Sequence, residues 1–175
     1  ERLVGIEGDH LIFGLRPEPE QGFGDPLRPG DVLEWPAASI DVMGELARRL
    51  ERDRGAAMIL DYGYWGPAHS DTLQALKRHA FVDPLAEPGE ADLTTHVDFH
   101  RLAQAAIAGG ARAHGIVLLG DFLKALGIEA RSQALLSDGD EAEELYQEAI
   151  ARLGATSIRV QLARSETVAG IADNE

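Results

Sequence analysis

The chain has 175 residues and no cysteine. That excludes disulfides, thiolate nucleophiles and cysteine-held zinc, and it fits a reducing compartment. No apolar run approaches the ~20 residues of a membrane span, so membrane insertion is not expected. The opening Glu1-Arg2-Leu3-Val4-Gly5-Ile6 has neither a signal-peptide pattern nor an initiator methionine, and reads as the middle of something. Positive charge is scarce: 16 Lys and Arg stand against 30 Asp and Glu, for a net charge of −14. A phosphate backbone would be repelled, and the densest basic groups, Arg48-Arg49 and Arg52-Asp53-Arg54, fall at a helix end. Nucleic acid is therefore not an expected partner. The glycine-x-serine-x-glycine elbow, the P-loop and a complete dinucleotide fingerprint are all missing too.

The residues present suit one globular domain with a real core, since 45% of them are hydrophobic and 26% charged. Leu3 to Ile6 and Leu11 to Leu15 read as a hairpin around Glu7-Gly8-Asp9-His10. Arg16 to Gly30 is a loop, and its Gly22-Phe23-Gly24 has neither the strand before nor the helix after that a phosphate-binding turn requires. Val32 to Trp35 is a short extended piece stopped by Pro36. Ser39 is the expected cap of a helix whose one face carries Ile40, Met43, Leu46, Ala47 and Leu50. After Gly55 comes a buried strand, Ala56 to Leu60, in the order of a parallel crossover.

Thr72 to Leu76 is a further short strand, and Asp83 to Gly89 a proline-bounded loop. Asp98 caps a helix with Phe99, Leu102, Ala103, Ala106 and Ile107 on its inner face, ended by Gly109-Gly110. Gly115 to Leu119 has strand character, and a short helix lies between Gly120 and Gly127. A regular helix is expected from Asp140 to Leu153, its acidic start suited to the helix dipole. Ile158, Val160 and Leu162 alternate with polar residues, as in a half-exposed strand.

Chemistry concentrates in two places. The apolar run Ala57-Met58-Ile59-Leu60 ends abruptly in Asp61-Tyr62-Gly63-Tyr64, which is how a buried strand looks where its carboxyl end opens into a cleft. Asp61 there either contacts a ligand or binds the amides of Gly63 and Tyr64 in a tight turn. The second place is Asp92-Leu93-Thr94-Thr95-His96-Val97-Asp98. His96 is a candidate general base or polar substrate contact. If that segment were helical, His96 and His100 would share a face and could hold a metal. Asp98 as a cap beside a hydrogen-bonded His96 is the simpler account.

The series Ile59-Leu60-Asp61-Tyr62-Gly63-Tyr64, Asp71-Thr72-Leu73, Asp83-Pro84-Leu85 through Asp98-Phe99, and Gly120-Asp121-Phe122-Leu123-Lys124-Ala125-Leu126-Gly127-Ile128 resembles the MidA family. These are class I S-adenosylmethionine-dependent methyltransferases, whose mitochondrial members methylate an arginine on a core subunit of respiratory complex I. The resemblance implies an α/β fold, the C-terminal portion of a Rossmann-like sheet with inserted substrate-facing segments. It covers the family's second half. The glycine-rich loop that holds the methyl donor, and the family's Asn-Glu-Phe-Phe-Asp-Ala-Leu-Pro motif, are not in this sequence, and the closing Ser157 to Leu162 departs from the family's wording.

By that resemblance the chain is a partial methyltransferase domain: hairpin and loop over 1–36, the αβ part over 37–163, and a tail over 164–175. S-adenosylmethionine is the implied cofactor. The implied partner is an acceptor protein, a complex I core subunit among the candidates, with an oligomer left open. The implied place is the cytoplasm of a bacterium or the mitochondrial matrix. Asp61 and His96 are the catalytic candidates and no metal is expected. Tyr62, Gly63, Tyr64, Asp92, Thr94 and Asp98 are the substrate-binding ones, with Asp61 and Tyr62 lining the cleft and Asp92, Thr94 and His96 orienting the acceptor. The competing expectations are a catalytically silent protein-binding domain and a metal-dependent hydrolase at His96 and His100.

Overall fold

The structure, a computed structural model, describes residues 1–17, 28–135, 144, 147–149, 151 and 158–165. The chain divides into two compact units: 1–34 with 67–96, and 35–66 with 97–175. The expected opening segment thus shares a unit with residues 67–96.

In the first unit, β1 (Arg2–Glu7) and β2 (His10–Leu15) pair antiparallel, with Glu7 opposite His10. Only Gly8-Asp9 separates them. Gly8 has φ +60°, which glycine adopts without Cβ strain. A second, three-stranded sheet has the order β5-β4-β6, from β4 (Gln74–Lys77), β5 (Ala80–Val82) and β6 (Asp92–Thr94). The β4–β5 turn is Arg78-His79, at φ +50° and +64°. Two side-chain-bearing residues there hold a left-handed conformation that costs roughly 1–2 kcal/mol each. The strand expected over Thr72 to Leu76 is therefore shifted to Gln74–Lys77, because Asp71 and Thr72 are drawn into side-chain bonds instead.

In the second unit, α1 (Ala37–Asp53) leads into β3 (Ala56–Tyr64). Ser39 does not cap α1. The amide of Ile40 already bonds to the carbonyl of Pro36, so the helix starts two residues ahead of Ser39, and no side chain caps it. The sheet runs β7 (Val97–Asp98), β3, β10 (Ile158–Ser165), β8 (Ala111–Ala113), with β9 (Val117–Leu118) also on β10. β3 pairs antiparallel with β10, Tyr62 opposite Ile158 and Ala56 opposite Arg164. Among the described residues it is parallel only to β7, at Gly63 and Tyr64. The expected parallel crossover is thus confined to that two-residue contact. β3 is also not buried throughout: Met58 and Leu60 are 50% and 43% exposed, while Ala57 and Ile59 pack on the core.

That core joins Met43, Ala47 and Leu50 of α1 to Phe99, Leu102 and Ala106 of α2 (Phe99–Ala108), with Ala111 and Ala163 from the sheet. The α1 face read from the sequence is the face that packs. Small residues set the approach: a Cβ on Gly109, at the end of α2, would lie 2.6 Å from that of Ala47. The buried side of β10 includes Gln161 and Ala163, each 1% exposed, so the polar Gln161 faces the core instead of solvent. The Gln161 amide donates to the carbonyls of Phe99 and His114, both at 3.4 Å, which offsets the ~1–3 kcal/mol of an unpaired buried amide. α3 (Leu119–Ala125) follows β9 as expected, and α4 (Ile128–Leu135) extends past it. Gly22-Phe23-Gly24 and most of the expected 140–153 helix lie outside the described residues.

Candidate functional site

Asp61 does not end β3. The strand continues three residues beyond it because β10 pairs as far as Tyr62 and β7 takes Gly63 and Tyr64. Its carboxylate accepts the amide of Tyr62 at 2.7 Å, not those of Gly63 and Tyr64 as a tight turn would require. Asp61 is exposed and lines an open cavity of about 350 Å³ with Ser39, Val42, Ile59, Val97 and Leu102. Apolar walls with one carboxylate suit a ligand that has an aliphatic stem and a cationic or hydrogen-bond-donating end. Tyr62 is 52% exposed and Tyr64 half-buried. Gly63 is buried for packing: a Cβ there would overlap the Val97 carbonyl and lie 2.7 Å from the Phe99 ring.

Asp98 is 4% exposed, and both its carboxylate oxygens are engaged. One accepts the Arg101 amide at 3.1 Å, which is the expected helix cap, and the other meets Arg101 Nε at 3.2 Å. The Arg101 guanidinium lies 4.4 Å over the Trp35 ring. Next to this cluster, the His100 imidazole sits 5.3 Å from the Trp65 ring, tilted 48°.

The remaining predicted residues belong to the first unit. Asp92 and Thr94 are exposed on β6, opposite Leu76 and Gln74. His96 is half-buried: its amide donates to Thr72 Oγ1 at 2.9 Å, and its Nε2 is 3.4 Å from Gln74 Nε2. Thr72 is 8% exposed. It donates its hydroxyl to Glu34 at 2.5 Å and its amide to the same carboxylate at 2.9 Å. Asp71, next door, binds Arg2 through both oxygens, at 2.5 and 3.0 Å. That hydrogen bonding holds its carboxyl below the ordinary range.

The predicted set thus divides. Asp61, Tyr62, Gly63, Tyr64 and Asp98 lie in the sheet unit, and Asp92, Thr94 and His96 in the other. The sequence reading missed Glu34, which fixes Thr72, and Trp35, Trp65 and Arg101 around Asp98. The shared helical face that a metal at His96 and His100 required does not form, because α2 begins at Phe99. Among the described residues no group of three or more His, Asp or Glu is placed to hold a metal.

A mixed sheet covered by α1 and α2 defines an α/β fold. Comparison with known proteins gives the family. The family model described as "Putative S-adenosyl-L-methionine-dependent methyltransferase" matches residues 2–117. The chain belongs to this family, as its MidA-like motifs indicate. "Protein arginine methyltransferase NDUFAF7 homolog, mitochondrial" of Drosophila melanogaster is 46% identical over 96 residues, covering 54% of this chain and 22% of that one. "Protein arginine methyltransferase NDUFAF7, mitochondrial" of Homo sapiens is 35% identical over 139 residues, 76% of this chain and 30% of that one. The chain therefore spans about a third or less of the curated relatives it matches. A crystal structure of a COG1565 superfamily member from Burkholderia thailandensis, bound to S-adenosyl-homocysteine, superposes with a TM-score of 0.74 at 24% identity. It covers 93% of this chain and 46% of that one, and it bears out the expected α/β methyltransferase fold.

S-adenosylmethionine is the donor for which this family is described. A nucleotide-like donor needs a glycine-rich turn after a parallel strand, with free helix amides beyond it. Among the described residues the parallel pair β3–β7 leads into α2, and there the Arg101 amide is already taken by Asp98. Among the described residues, this junction does not fit the donor.

Proposed function

We propose that this chain is the acceptor-facing part of an S-adenosylmethionine-dependent protein arginine methyltransferase. The family match over residues 2–117 carries this reading, and the curated relatives are named for that activity. A guanidinium whose terminal nitrogen is the nucleophile that takes up the methyl group must be held in line with the methyl donor, with water excluded, so positioning matters more than acid–base chemistry. In this reading Asp61 receives the cationic end of the acceptor beside the apolar cavity, whereas Tyr62, its neighbour on β3, is not among the residues that line it. In the other unit His96, held through Thr72 and Glu34, contacts the acceptor protein together with the exposed Asp92 and Thr94. Asp98 has no ligand role, since Arg101 and the helix start consume its carboxylate. A complex I core subunit as acceptor is what the MidA resemblance implies, and a mitochondrial location is what the relatives' names support. Among the described residues no helix is long and apolar enough to cross a membrane.

The test is transfer of labelled methyl groups to arginine-bearing proteins by this chain joined to a donor-binding portion from a relative. Methylarginine in the product, reduced at least tenfold by Asp61→Asn, is expected. Label on another residue type, or none, would overturn the reading.

A further inference from the structure

The cavity beside Asp61 is larger than an arginine alone would need. Val42 and Leu46 of α1, Ile59 of β3, Val97 of β7 and Leu102 of α2 wall a volume of about 350 Å³. That falls within the roughly 300–1,000 Å³ of small-molecule sites, whereas an arginine brings only a short, thin aliphatic stem. Asp61 is exposed and already accepts the Tyr62 amide at 2.7 Å. An ion pair formed there, in contact with water, improves binding by at most about fivefold. A leucine-sized side chain buried against the walls improves it about tenfold or more. The carboxylate therefore selects for positive charge, and the walls supply most of the affinity.

We propose that the cavity seats a large aliphatic side chain of the acceptor, two positions from the methylated arginine, while Asp61 meets the guanidinium. This rests on the arginine methyltransferase reading and deepens it to a sequence preference. In an extended segment, residues two apart face the same way and lie roughly 7 Å from one another. One stretch of acceptor chain can thus present a guanidinium to the exposed carboxylate and an aliphatic group to the walls beside it. The net charge of −14 draws cationic segments toward the chain, and the cavity distinguishes among them by their apolar neighbours.

The experiment is calorimetric titration of acetyl-Leu-Gly-Arg-Gly-Leu-amide into this chain and its variants. Acetyl-Gly-Gly-Arg-Gly-Gly-amide and the citrulline form of the leucine peptide are the comparisons. The leucine peptide should bind at least about tenfold more tightly than the glycine peptide. It should exceed its citrulline form by about twofold to fivefold. Val42→Glu puts a charge into the apolar wall and should cut the leucine advantage below about threefold. Asp61→Asn should remove the arginine-over-citrulline difference and leave the leucine advantage in place. Val42 is 69% exposed and Asp61 is exposed too, so both variants should fold, as circular dichroism will show. Equal binding of the leucine and glycine peptides, equal binding of the arginine and citrulline forms, no saturable binding of any, or a leucine advantage untouched by Val42→Glu would each overturn the proposal. If the chain joined to a donor-binding portion methylates both arginine peptides with the same KM, the preference falls and the methyltransferase stands. Leucine-dependent arginine binding without methylation would remove the methyltransferase and leave the seat.

Discussion

Asp61 and Asp98 stand near the same parallel strand contact and both look like site residues in the sequence, yet they are used in opposite ways. Asp98 is buried, caps α2 and holds Arg101, which lies on Trp35. Asp61 is exposed, accepts one amide from its neighbour and borders a cavity. The first carboxylate is consumed by the fold and the second is available to a ligand. An acid beside a strand end therefore acquires its role from the element on its C-terminal side. Asp98 precedes the first turn of a helix, whose amides need an acceptor, whereas Asp61 precedes more strand, whose amides already have partners.

The sharpest break between the two acids comes from Asp98→Ala. It leaves Arg101 without its carboxylate and α2 without its cap, and should cost about 3–5 kcal/mol in urea unfolding. A loss below about 1 kcal/mol would mean that Asp98 is not structural. Gly63→Ala comes next. Its Cβ would overlap the Val97 carbonyl and the Phe99 ring, and about 3 kcal/mol of overpacking strain should appear as a lower Tm. A neutral result would show that β3 and β7 are not this close.

Thr72→Val removes the hydroxyl shared by Glu34 and His96 and should cost about 1–3 kcal/mol, with Thr72→Ser recovering most of it. Asp61→Asn should change stability by no more than about 0.5 kcal/mol while abolishing most methyl transfer. If it unfolds the protein as Asp98→Ala does, the contrast between the two acids fails. The smallest effect concerns pH. Arg2 holds the Asp71 carboxyl below its ordinary 3.8, so this pair's contribution is complete above that value. It is lost as pH falls through the lowered value. Asp71→Asn should therefore soften the acid limb of a stability–pH curve and leave its neutral region almost unchanged.

Elements with a strong period were legible in the sequence. α1 showed its inner face and α2 all of its own but Ile107, which is 61% exposed; the β1–β2 hairpin showed its glycine turn, and Asp98 showed itself as a cap. β8, with only Ala111-Arg112-Ala113, has too few residues to show a period, and it exists because β10 pairs with it. Burial of Gln161 was hidden because its amide is satisfied by carbonyls 62 and 47 residues away in sequence. The cap at Ser39 failed for a local reason: Pro36 starts the helix first. At the site, the Asp61 to Tyr64 run was found but misplaced, since the partners that prolong β3 come from distant segments. Glu34 and Trp65 carried no local pattern at all, and only the fold pairs them with Thr72 and His100.

The central claim is that these residues form the acceptor side and do not themselves make a donor site. Calorimetric titration of S-adenosylmethionine into this chain, with folding verified by circular dichroism, tests it most directly. No saturable heat is predicted up to millimolar donor. Stoichiometric, saturable binding would contradict the account and put the donor site within these 175 residues.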